Sequence, residues 1–156
     1  MMRALFLSML CIGVSVSFAA MAEKSHCMVR DLGLPLAGEG VVDCGIADAG
    51  KPAQGRRVVA CARKAIERGQ PVRFGNGYFG TDAFGCDVIV VDGSRMYWRV
   101  TFDWDLSVPD DQPKSFVGHC PAIDLDSIDM AGTSPFAELG CVFDEDAFKR
   151  AKIRRP

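Results

Sequence analysis

The sequence predicts an α+β fold: one main helix packed on a small antiparallel sheet, a meander, stapled by disulfides. Three observations carry this. An apolar run at the N-terminus reads as an export signal, six cysteines lie beyond it, and the middle of the chain switches from a helical period to a period of two.

Met1–Arg3 opens with a positive charge, Leu5–Val16 is uncharged and mostly apolar, and Ala20-Met21-Ala22 puts small residues just ahead of Glu23. This three-part layout predicts a signal peptide over residues 1–22. The competing reading is an uncleaved anchor, since a spanning helix needs about 20 apolar residues. Its serines, Gly13 and the alanine-rich end make the run a poor anchor. A cut after Ala19 is the alternative site, and Cys11 lacks the small residue before it that a lipoprotein signal requires. Residues 23–156 then form a single disulfide-rich domain, long enough for a real core, in the periplasm or outside the cell, with no stable membrane span.

Cys11 leaves with the signal, and Cys27, Cys44, Cys61, Cys86, Cys120 and Cys141 stay. An even number in an exported chain reads as three disulfides. Zinc sites bring ligands in close pairs, whereas the shortest spacing here is sixteen intervening residues. There is no Cys-x-x-Cys, so a thioredoxin-like role has no support. With 18 basic and 20 acidic residues the charge is close to balanced, which does not argue for nucleic acid.

Residues 23–54, rich in Gly, Pro and short polar residues, read as mostly irregular and held by a disulfide. Val58, Cys61, Ala62, Ala65 and Ile66 then fall on one helical face, and Gly69 with Pro71 supplies a stop, which predicts a helix over roughly 56–68. Val72, Phe74 and Tyr78 mark a first strand, bent at Gly75-Asn76-Gly77. Phe84–Val91 and Met96–Trp104 are the clearest strands, joined at Asp92-Gly93-Ser94. A three-residue loop over 92–94 pairs Val90 with Met96, Val88 with Trp98, Cys86 with Val100 and Phe84 with Phe102. All eight then share one face, and Asp87 lies opposite Arg99 on the other; a one-residue slip would mix the faces. With the helix packed on that apolar face, Cys61 meets Cys86, leaving Cys27–Cys44 and Cys120–Cys141 among the 15 connectivities that six cysteines allow.

Beyond Asp105 the periodicity weakens through a Pro- and Asp-rich loop. Ser115–Val117 and Leu139–Phe143 are candidate short strands. Asp144 is a candidate N-cap, with Glu145 and Asp146 in the first turn and Lys149, Arg150 and Lys152 toward the end, an order that complements the helix dipole. The basic tail is therefore read first as the favourable end of a short helix, and second as a contact for anionic envelope components.

No residue is singled out as catalytic, metal-binding or cofactor-binding. His26 and His119 each precede a cysteine and belong to no metal motif, and there is no Gly-x-Ser-x-Gly elbow. Paired cysteines leave no thiolate nucleophile. Asp103 and Asp105 flank Trp104, as carboxylates and an aromatic can at a sugar site, yet Trp104 also continues the apolar alternation. The segment from Asp124 to Asp129 resembles the first half of a calcium loop but has Asp129 where Gly is required and Pro135 where Glu is required. The glycines at 75–77 and 80 do not open a helix and read as strand connections rather than a phosphate cradle.

Cys61-Ala62-Arg63-Lys64-Ala65-Ile66, Gly69-Gln70-Pro71-Val72, Gly80-Thr81-Asp82, Asp92-Gly93 and Phe102-Asp103 together resemble a pattern in small exported bacterial proteins of unassigned function. The resemblance covers residues 56–105. It implies a helix followed by an antiparallel meander and brings no activity with it.

Three functions are open at this point. The first is a secreted or periplasmic non-catalytic binding protein with a protein partner, such as an inhibitor or immunity protein against an envelope-acting enzyme. The second is a carboxylate-dependent glycan hydrolase, and the third a surface-interaction protein using the basic tail. For the first, the contact candidates are Tyr97 and Arg99 on the outward face of the hairpin, with Asn76 and Tyr78 at the preceding turn.

Overall fold

The computed structural model describes residues 27, 29, 31–107, 114–132 and 134–153. The signal peptide expected over residues 1–22 lies outside them. Among the described residues, three helices and six strands follow in the order α1 (Leu34–Ala37), β1 (Val42–Asp48), α2 (Pro52–Glu67), β2 (Val72–Phe79), β3 (Ala83–Val91), β4 (Tyr97–Asp105), β5 (Lys114–Cys120), β6 (Val142–Phe143) and α3 (Glu145–Ala151). The strands form one sheet in sequence order. β1 and β2 are parallel, joined through α2, and every other pair is antiparallel. The chain is thus an α+β fold with one main helix, a mostly antiparallel sheet and three disulfides.

α2 starts earlier than its apolar periodicity suggests, because Pro52 occupies its first turn, where a missing N–H costs nothing. It stops where expected. Gln70 N donates to Ala65 O and Gly69 N to Ile66 O, with Gly69 at φ +68°, a Schellman end. The segment read as irregular over residues 23–54 contains α1 and β1. β1 escaped notice because it is a short edge strand whose register breaks between Asp43 and Ile46, which interrupts its alternation. β2 runs unbroken through Gly75-Asn76-Gly77, and only Val142–Phe143 of the second expected late strand is extended.

The hairpin keeps its expected faces but shifts by two residues: Val90 pairs with Trp98, Val88 with Val100, Cys86 with Phe102 and Phe84 with Trp104. The loop is still three residues long, now Gly93, Ser94 and Arg95. Asp92 precedes it, where its carboxylate caps the turn by accepting from Ser94 N at 2.9 Å and Met96 N at 3.1 Å. Arg95 takes the left-handed position at φ +66°. Because the shift is even, no side chain changes face.

Each face of the sheet carries a packed layer. Phe84, Cys86, Val88, Val90, Trp98, Val100 and Phe102 pack with Leu32, Leu36 and the α3 alanines on one side. Val72, Phe74, Ile89 and Val91 pack with Val58, Ala62 and Ala65 of α2 on the other, together with Met130 and Phe136 from the 121–140 segment. That division corrects the expected disulfides. Cys61 and Cys86 belong to opposite layers, so Cys61 bonds Cys44 on β1 and Cys86 bonds Cys27; neither Cys61–Cys86 nor Cys27–Cys44 forms. Cys120–Cys141 forms as expected and closes the 121–140 segment at its base.

Candidate functional site

The face shared by α2 is not covered along its whole length. α2 packs on β1 and β2, and the 121–140 segment continues the cover with Phe136 edge-on to Phe74 at 5.9 Å. Farther along the same face, register places Tyr78, Gly85, Asp103 and Lys114 in one row and Asn76, Asp87, Thr101 and Phe116 in the next. Tyr78 and Thr101 are half-buried, and Asp103 and Lys114 exposed.

Three of the four expected contact residues converge here. Arg99 reaches diagonally across the β3–β4 ladder, donating from Nε and Nη2 to the two Asp87 carboxylate oxygens at 2.9 Å each. Burial pushes the Asp87 carboxyl up, and the hydrogen bond and charge of Arg99 only partly counter it. The Tyr78 hydroxyl donates to Asp103. Burial first, then that carboxylate, raises the phenol well above its ordinary value, so it stays a donor. Asn76 lies beside Asp87 but is fully buried, which corrects its placing at an accessible turn. Its Nδ2 donates to Gly132 O at 2.8 Å and pins the 121–140 segment to the sheet. Tyr97 sits under the covered end, packed on the α2 layer, so the hairpin face counted as outward is open only below it.

Residues that sequence reasoning passed over complete the surface. Phe116, Phe143 and Phe148 follow one another with ring centroids 6.0 and 6.1 Å apart. Phe143 is 53% and Phe148 36% exposed. Two glycines let the rings lie flat. A Cβ on Gly85 would stand 2.5 Å from the Tyr78 ring, and one on Gly118 2.4 Å from the Phe116 ring. The available signal was the apolar Phe116 and Phe143 in segments too short to bury them, but no periodicity said that they would share a face.

The carboxylates that flank Trp104 are engaged by neighbouring hydroxyls. Asp103 accepts from Tyr78, and Asp105 accepts from Ser107 N and Oγ, the hydroxyl first holding its carboxyl below the usual range. Trp104 points to the other face, 5.6 Å from Phe84. The acidic 124–129 stretch spends Asp124 and Asp129 on turn amides and Asp126 on Arg63. In α3, Asp144 caps Ala147 N, Lys149 pairs with Glu145, and Arg150 lies over the Trp98 ring. Lys149 and Arg150 thus have structural partners; residues 154–156 lie outside the described ones.

Among the described residues no helix is long and apolar enough to cross a membrane, and three intramolecular disulfides fit an oxidising compartment. No family model, curated protein or solved structure matches the chain.

Proposed function

We propose that the chain is an exported, non-catalytic binding protein of the periplasm or cell exterior, whose contact surface is the open end of this sheet face. One observation carries the reading: exposed, mutually packed aromatics at Phe143 and Phe148 run into half-buried Phe116, with polar residues Thr101, Asp103 and Tyr78 alongside. An aromatic centre with a polar margin is the make-up of a protein contact surface. The side chains are already held, Arg99 by Asp87 and Tyr78 by Asp103, so binding orders few rotamers. Such a surface suits a folded partner, and an inhibitor or immunity role against an envelope-acting enzyme is the form we favour.

The test is capture from envelope extract by immobilised protein, compared with its Phe143→Asp variant. The expected result is a discrete partner retained by the wild type and weakened about a hundredfold or more by the buried charge, as for central interface residues. Equal retention by the variant, or no partner at low and high salt, overturns the reading.

A further inference from the structure

Elsewhere on the molecule, α2 and the 121–131 segment enclose a groove of about 410 Å³. This lies toward the small end of ligand cavities, roughly 300–1,000 Å³. Its apolar lining includes Val59, Leu125 and Met130. Arg56 and Arg63 stand on the helix wall, two turns apart and about 10 Å along the axis, and Asp126 and Asp129 on the opposite wall. The walls are set before any ligand arrives. Gly50 N donates to Ala131 O, Asn76 holds Gly132, and Gly55 lets Met130 approach so closely that a Cβ there would lie 2.5 Å from the Met130 Cβ.

We propose that this groove binds a short apolar peptide with both termini free. Charge decides the class. Arg63 and Asp126 meet at 2.6 Å, with both side chains accessible, the weakest kind of ion pair and the easiest to open. An anion inserted there would take Arg63 and leave Asp126 to water, while a cation would do the reverse. A zwitterion takes both: its carboxylate replaces Asp126 on the guanidinium, its ammonium replaces Arg63 on the carboxylate, and all four charges stay paired. Arg56 and Asp129 repeat the two signs along the groove, and the apolar lining accepts the side chains between the termini. The groove has room for two or three residues.

The proposal stands apart from the sheet face, and its test separates the two. Titrate the purified protein by calorimetry with Leu-Leu and with N-acetyl-Leu-Leu-amide. Saturable binding of the free dipeptide in the micromolar to millimolar range is expected, about tenfold or more tighter than the blocked one. Ala60→Trp, at an exposed groove position, should abolish it with an unchanged circular dichroism spectrum. Arg63→Gln should erase the preference for free termini, and Phe143→Asp should leave binding unaltered. Absence of saturable binding, equal affinity for the blocked peptide, full binding by Ala60→Trp, or loss in Phe143→Asp overturns the assignment.

Discussion

Arg99 and Asp87 show how a single pair can hold the floor of a surface. Asp87 is nearly buried and its partner only slightly accessible. Removing one member of a buried pair leaves a stranded charge, so Arg99→Met should cost about 3–5 kcal/mol. Replacing both, as Arg99→Met with Asp87→Leu, should recover most of that loss. Additive losses in a urea denaturation cycle would contradict this. The sign of the pH effect follows from the raised Asp87 carboxyl. A folded carboxyl that titrates above its unfolded value costs stability when ionised and recovers it as pH falls through the raised value. Arg99→Met enlarges that cost, so its deficit should narrow on going from about pH 7 to pH 5. That the two share a face was legible from sequence, but the ladder sets Thr101 rather than Arg99 opposite Asp87, and the pair forms by a diagonal reach. The burial of Asn76 was not, because the Gly132 carbonyl that holds it comes from 56 residues away.

At the level of elements, the β3–β4 hairpin depends on Asp92. Its carboxylate accepts from Ser94 and Met96 and, through Oδ2, from Trp98 Nε1 at 2.9 Å. Partial burial pushes this carboxyl up, but the Ser94, Trp98 and Met96 hydrogen bonds outweigh it and leave the group lowered. Its contribution is therefore full above the unfolded carboxyl range, near pH 4, and is lost as pH falls through the lower folded value. Asp92→Ala should cost about 1–2 kcal/mol at neutral pH and flatten the fall of Tm between about pH 5 and pH 2; an unchanged slope would refute the role. The same residue explains the register. An Asp favours the position before a turn rather than inside it, so the loop began one residue later than its composition suggested and the ladder moved by two. Parity survived because the strands had alternating apolar residues to satisfy on a buried face. For β1 the sequence offered no such pattern, since a parallel edge strand with a register break alternates over too few residues.

Over the whole molecule, the disulfides join the layers in a definite way. Cys44–Cys61 ties α2 to β1 on one face, Cys27–Cys86 ties the N-terminal segment to β3 on the other, and Cys120–Cys141 closes the segment that forms one wall of the groove. Their sequence separations are 59 for Cys27–Cys86 but 17 and 21 for the other two. Loop entropy then assigns about 4 kcal/mol to the first and about 3 to each of the others. Paired Ser replacements should rank in that order in denaturant titrations. Peptide mapping of the unreduced protein should yield a fragment joining Cys44 to Cys61, and one joining Cys61 to Cys86 would refute the layer assignment.

The sequence by itself determined the α+β class, the main helix, and the hairpin and its faces, because each rests on short-range periodicity. Only the tertiary structure decided which layer each cysteine joins. The run Val88-Ile89-Val90-Val91 is apolar on both faces and marks a strand buried on both sides, but it does not say which element covers which face. The open aromatic end and the charged groove were decided there too. Both arise where the cover stops, and that boundary is set by contacts between residues far apart in the chain, such as Arg63 with Asp126 and Phe74 with Phe136.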